Sequence, residues 1–206
     1  MRFSFVLLIS TSTWRHQAQN ENENMNKQTP TPKAFKRSPS LEISTWYKGI
    51  LTTQLAGEGD TGGAFDLVVS KMRKGTEPPP HVHSREHELY YIFAGELKVY
   101  VEGETFQVGA GDCMFLPKGH PHAFLIQSPE IHMLALIAPG GLMDAINEMA
   151  APAEKMEIPA DDALTYASSN LEETMRIFEQ YGVHLLTREE IAHQMPEFPP
   201  PPPAPN

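Results

Sequence analysis

A single cysteine, Cys113, stands in a chain of 206 residues. That excludes an intrachain disulfide framework and any cysteine-rich zinc site, and Cys113 itself reads as a small core residue in a strand. Positive charge is scarce as well: 16 Lys and Arg face 26 Asp and Glu, a net charge of −10. The deficit is uneven. Residues 1–45 carry six basic and three acidic side chains, leaving ten against twenty-three, a balance of −13, for the rest. So acidic a body repels phosphate backbones, which excludes nucleic acid as a partner. No helix-turn-helix or zinc-finger pattern argues otherwise, and there is no internal repeat.

Long apolar runs are also missing. Phe5 to Ile9, after Arg2, resembles the start of a secretory leader, but Thr11 to His16 is bulky and basic where small residues would precede a cleavage site. The run is far too short to span a membrane. The cytoplasm is the expected compartment, with export by this weak signal as the alternative; a start at Met25 would make residues 1–24 an extension. Residues 17–40 are rich in Asn, Gln, Pro, Ser and Lys and cannot bury enough surface to fold, so residues 1–40 read as disordered.

What the chain does have, from Leu41 onward, is short strands between glycine turns. Ile43 to Leu55 reads as one or two strands, and the four glycines of Gly57 to Gly63 as a loop. Strands follow at Ala64–Met72, Leu89–Phe93, Leu97–Val101, Thr105–Val108, Cys113–Leu116, Ala123–Gln127 and Ile131–Ala138. About eight to ten short strands at regular spacing make an all-β sandwich or a jelly-roll β-barrel, placed at residues 41–140. After Gly141 the period changes. Leu142, Met143, Ile146 and Met149 have helical spacing. Ala160 to Ser168 could form another short helix, and Ser169 opens a third, with Glu172 at the capping-box position and Gly182 as its stop. Thr187 and Glu190 repeat the capping box. Residues 141–195 therefore read as a helical extension packing on the barrel, and residues 196–206 as a solvated proline-rich tail.

The chemistry lies between Gly75 and His122. Two histidines one residue apart, His81 and His83, share a face of a strand because side chains alternate with period two. Glu88 opens the next apolar run, and His122 opens a strand further on. Imidazole nitrogens with a carboxylate, at ~2.0–2.2 Å, suit a divalent transition metal: Fe, Mn, Ni, Cu and Zn all accept such a set. If Glu88 faces inward, parity sends Tyr90 and Ile92 in with it; Phe124 and Ile126 follow His122. Phe65, Leu67 and Val69 are a candidate inward face of the earlier strand. Together they would form an apolar, aromatic pocket for a small molecule.

The residues also spell a family pattern. Gly75, His81, His83, Glu88 and Gly95 are spaced as in the first cupin motif, and Gly111, Pro117, Gly119 and His122 as in the second, with Ile126 where the second usually closes on Asn. Pro78 to Glu88, Leu116 to Phe124 and Ala138 to Gly141 most resemble single-domain cupins similar to quercetin dioxygenase. That resemblance implies metal ligation by His81, His83, Glu88 and His122, with Glu88 also the catalytic base toward an acidic substrate hydroxyl. It leaves Glu86 in a connecting loop, His87 on the opposite face and His120 on the rim. It further implies a dioxygenase of small enolic or phenolic, flavonoid-like substrates using dioxygen, and a homodimer associating at sheet edges. The alternatives are a metal-dependent isomerase or decarboxylase without redox chemistry, and a small-molecule-binding module without catalysis.

Overall fold

The computed structural model describes residues 31–160, 165, 166 and 168–199. The leader-like segment, the possible start at Met25, most of the Ala160–Ser168 helix and the end of the tail lie outside the described residues. The chain divides into two units, Met1–Thr31 and Pro32–Asn206, and every element below belongs to the second.

A 3₁₀ turn, Leu41–Ile43, leads into β1 (Ser44–Tyr47) and β2 (Ile50–Ala56), and a short helix α1 (Glu58–Thr61) precedes β3 (Asp66–Arg73). Then come β4 (His81–His83), β5 (His87–Ala94), β6 (Glu96–Val101), β7 (Glu104–Gly109), β8 (Cys113–Leu116), β9 (His122–Ile126) and β10 (Glu130–Ala138). The rest comprises α2 (Leu142–Met149), β11 (Ala151–Pro152), α3 (Leu171–Gln180), β12 (Val183–Leu185) and α4 (Arg188–Gln194). No helix among the described residues is long and apolar enough to cross a membrane.

The strands form two sheets with antiparallel neighbours, in the orders β11-β1-β2-β3-β10-β5-β8 and β12-β4-β9-β6-β7. Alternation decides what enters the core. Ile131, Met133, Ala135 and Ile137 of β10 are buried, as are Tyr90 and Ile92 of β5, and they join Leu97, Val99 and Val101 of β6 in one apolar cluster. Hairpin β6–β7 turns at Glu102 and Gly103, both at positive φ. At Gly95 a side chain is impossible for two reasons: φ is +92°, and a Cβ would lie 2.4 Å from the Glu130 carbonyl oxygen.

Four expectations need correction. The inward residues of β3 include Val68 and Met72, with Asp66 also buried; Leu67 and Val69 are only half-buried on the other face, and Phe65 precedes the strand. The parity reads backwards because a polar residue, Asp66, takes a buried position: its Oδ2 accepts hydrogen bonds from the Gly141 and Met143 amides at 2.9 and 3.1 Å. Cys113 is exposed rather than in the core, because it lies on the outer face opposite the exposed Tyr91. The cap of α3 is Asn170, one residue later than expected, its side chain accepting from the Glu173 amide. And residues 141–195 are not solely helical, since β11 and β12 extend one sheet each. The capping box of α4 is formed by Thr187 and Glu190 as read.

Candidate metal centre

Both sheets contribute to the site. In one sheet, His81 and His83 sit at the two ends of β4, and His81 pairs directly with His122 of β9. In the other, Glu88 lies on β5, flanked by Leu116 and Ile137. The loop before His122 is tied to the ligand strand by the Gly119 amide, which donates to the His83 carbonyl at 2.7 Å; Gly119 has φ +81°, which favours glycine. One potential ligand atom from each of His81, His83, Glu88 and His122 lies within 4.8 Å of all the others, and all four residues are buried.

The three rings are held in the orientation a metal requires. His81 Nδ1 is 2.8 Å from the Pro79 carbonyl oxygen and His122 Nδ1 is 3.1 Å from that of His120. A carbonyl only accepts, so each Nδ1 carries the proton and Nε2 keeps its lone pair. His83 Nδ1 faces Glu86 Oε2 at 3.4 Å. On the inner side, Nε2 of His83 and Nε2 of His122 are buried with no hydrogen-bond partner among the described residues. Glu88 Oε2 lies 3.3 Å from the His122 Nε2 and 3.7 Å from the His83 Nε2. Orphaned imidazole nitrogens converging with a buried carboxylate are what a divalent cation satisfies, and the group fits one.

Electrostatics point the same way. Burial drives His81 well below the ordinary imidazole value, with His122 and His83 adding to the effect, so its ring is a neutral donor. Burial alone would raise Glu88, but the electrostatic pull of the surrounding imidazoles, His83 first, and the contact with His122 outweigh it, and the carboxyl is held far below its usual range. Burial would lower His83, but Glu88 and Glu86 together raise it. Positive charge beside Glu88 is therefore favoured, and a divalent ion supplies it.

A cavity of about 120 Å³ opens beside these ligands. Tyr90 and Phe124 line it, their rings edge to face at 5.9 Å. Ile92 and Ile126 are fully buried in the core cluster and do not line it. Phe65 and Leu67 do not line it either; Val68, Ser70 and Met72 take their place. His87 lies on the other face of β5, stacked on Phe115 with its Nδ1 accepting from the Lys118 amide. His120 is half-exposed and pairs with Glu102 at 3.0 Å. His184 is bound by Glu179 and Glu190.

Sequence reasoning missed two kinds of residue. Glu86, 4% exposed, lies beneath His83 rather than in an idle loop. The His-x-x-Glu spacing was a visible signal. The other group is the wall contributed from far along the chain: Tyr47 on β1, Tyr166, Phe178 on α3, and Val183 and Leu185 on β12. β12 reaches the site by pairing with β4, Val183 opposite His83 and Leu185 opposite His81. No local pattern announces such long-range contacts.

Comparison with known proteins adds the following. Residues 68–138 match the model of the cupin domain. A quercetin 2,3-dioxygenase of Bacillus subtilis is 28% identical over 109 residues, 53% of this chain and 32% of that protein. The dimethylsulfoniopropionate lyase DddQ of Ruegeria pomeroyi is 42% identical over 72 residues, 34% of this chain and 35% of that one. The matches thus span about a third of each relative's length. Among solved structures, an RmlC-like cupin from Shewanella frigidimarina is 20% identical, covering 53% of this chain and 96% of that one, with a TM-score of 0.45.

Proposed function

This chain belongs to the cupin superfamily, and from that premise we propose that it is a metal-dependent oxidoreductase, a dioxygenase acting on a small enolic or phenolic substrate. The observation that carries the reading is the convergence of two orphaned Nε2 atoms, His81 and Glu88 beside an apolar cavity. His81, His83, Glu88 and His122 hold the ion, which is one of Fe, Mn, Ni, Cu or Zn. When bound, the ion supplies Lewis-acid polarisation of a substrate oxygen and, for redox-active metals, electron exchange with dioxygen.

The chain's own residues do the rest. Glu88 takes the acidic hydroxyl proton of the substrate and returns it to the product. Tyr90, donating to Glu88 Oε2 at 2.8 Å, fixes that oxygen's direction. The apolar walls, including Phe124, Met133 and Leu185, keep water from the activated substrate. Both atoms of dioxygen enter the product, so the substrate is the reductant and no further one is required.

Loading the protein with each metal in turn and following oxygen uptake tests this. His83→Ala is expected to abolish both metal uptake and turnover, and undiminished turnover by metal-free protein overturns the mechanism. A second reading, metal-dependent lyase chemistry without dioxygen, is supported by the 42% identity to the lyase over 72 residues. Turnover that persists under anaerobic conditions selects it.

The same proposal includes residues 41–140 as the cupin barrel with 141–195 as its extension, a cytoplasmic location and a homodimer. Support for the dimer comes from edge strand β8, where Phe115 is 54% exposed, and from the exposed Tyr91 and Phe93 on the neighbouring β5. Sedimentation equilibrium checks it.

A further inference from the structure

The size and chemistry of the cavity narrow what can bind. At about 120 Å³ it is slightly smaller than an apolar cavity of ~150 Å³ that holds benzene, and well under the ~300–1,000 Å³ of sites for drug-sized ligands. The cavity itself has space for about one ring, and the remaining rings of a flavonol would have to lie outside it. The lining also limits charge. No Lys or Arg is among the described lining residues, so an anionic group on a ligand finds compensation only at the metal ligands. A second anionic group would be buried unpaired, which apolar surroundings oppose.

One polar feature remains at the wall. Tyr47 Oη is buried, and among the described residues no acceptor receives its proton. Its ring meets that of Tyr166 edge to face at 5.7 Å, and the Tyr166 hydroxyl is placed to donate to Tyr47 Oη, which leaves the Tyr47 proton without an acceptor. Thr52 and Ser70 also face the cavity. A buried hydroxyl that lines a ligand cavity and whose proton has no acceptor is a donor in wait of one.

We propose that this pocket selects a compact monoanion of at most one ring's bulk, with its anionic oxygen group at the His81, His83, Glu88 and His122 cluster and an uncharged carbonyl or hydroxyl oxygen accepting from Tyr47 Oη. A flavonol would bury only part of its surface there and is expected to bind poorly. The proposal rests on reading that cluster as a metal centre, and it replaces a flavonoid-sized substrate by a small oxo- or hydroxy-acid or enol.

The test uses the full chain loaded with Co(II), with 4-oxopentanoate, pentanoate and quercetin as probes and with calorimetry and the Co(II) visible spectrum as readouts. 4-Oxopentanoate is expected to bind saturably and perturb the spectrum, pentanoate to bind about tenfold more weakly, and quercetin not to saturate. In Tyr47→Phe, which keeps the ring against Tyr166, the difference between the two acids should vanish. Quercetin binding as tightly as 4-oxopentanoate overturns the proposal, as does failure of both acids to bind Co(II)-loaded protein or an unchanged preference in Tyr47→Phe. Failure to take up Co(II) at all overturns the metal reading beneath it, and elemental analysis tells that outcome from the others.

Discussion

Tyr90 and Glu88 stand two residues apart on β5, and the tyrosine hydroxyl donates a 2.8 Å hydrogen bond to Glu88 Oε2, the oxygen that faces His83 and His122. Period two puts both side chains on the inner face, so the sequence that supplies the carboxylate also supplies its support. Burial and the neighbouring carboxylate push the Tyr90 hydroxyl well above the ordinary phenol value, so it stays a donor. Tyr90→Phe keeps the ring against Phe124 but frees Oε2 to rotate. Metal affinity is expected to fall about tenfold, within the ~10–100-fold range for such supports, with the fold intact. Equilibrium dialysis against a chelator-buffered metal, alongside circular dichroism, checks both halves.

Glu86 acts on His83 in the same way from the other side. Its Oε2 faces Nδ1 at 3.4 Å, both groups being nearly inaccessible to solvent. Removing the acceptor with Glu86→Ala lets the imidazole turn or change tautomer, and metal affinity should drop roughly 10–100-fold. Glu86→Gln retains a carbonyl oxygen and should lie between. Equal affinity in all three proteins, measured by the same dialysis, would show that the contact does not orient the ring.

How much of this was legible beforehand follows from what each residue depends on. The candidate ligand set depends on residue type and short spacing, and both are written in Pro78 to Glu88 and Gly111 to His122. Which face Tyr90 and Phe124 share depends only on strand parity from Glu88 and His122, so it too could be read. Parity failed on β3, where Asp66 is buried by amides 75 and 77 residues away and Leu67 and Val69 cover the outer face instead. Glu86 required the course of a loop, and Tyr47, Tyr166 and Leu185 required the tertiary fold. β12, three residues long, is too short for any periodic signal to declare it.

His184 offers a pH dependence outside the centre. Glu179 and Glu190 both pair with the ring and raise its pKa. A raised folded-state value means the stabilisation is fully present below the ordinary imidazole value near 6.5 and is lost as pH rises through the folded one. Glu190 titrates near pH 2, held down by the Thr187 amide first and by His184 next, so its contribution is lost only toward strong acid. His184→Gln should therefore cost stability at pH 6 and little at pH 9. The ring is 38% exposed, so the loss stays below about 1 kcal/mol. Urea denaturation at the two pH values reads the difference, and a constant penalty would count against the ionic account.

Asp66 is the buried carboxylate whose work is structural. It is 0% exposed, and its Oδ2 caps the start of α2 by accepting from the Gly141 and Met143 amides. Leu142, Met143 and Ile146 of that helix line the cavity, so the cap holds one wall of the site. Asp66→Ala orphans one buried and one part-buried donor and should cost about 1–4 kcal/mol, at ~1–3 kcal/mol for the buried one and less for the other. Asp66→Asn keeps an acceptor and should cost less. Both deficits also depend on pH. Burial raises the Asp66 pKa above its ordinary value, the amide bonds offsetting only part of the effect. A carboxyl that is harder to ionise in the folded state binds protons more tightly there than when unfolded, so stability falls as pH rises between the two values. Asn carries no such charge. Ala carries none either, so both deficits relative to the parent should be largest in mild acid and shrink alike toward neutrality, the Ala deficit remaining the larger at each pH. Chemical denaturation of the three proteins at pH 4.5 and 7.5 measures both trends, and an Asn deficit that grows with pH would mean the ionised carboxylate is favoured by the fold after all.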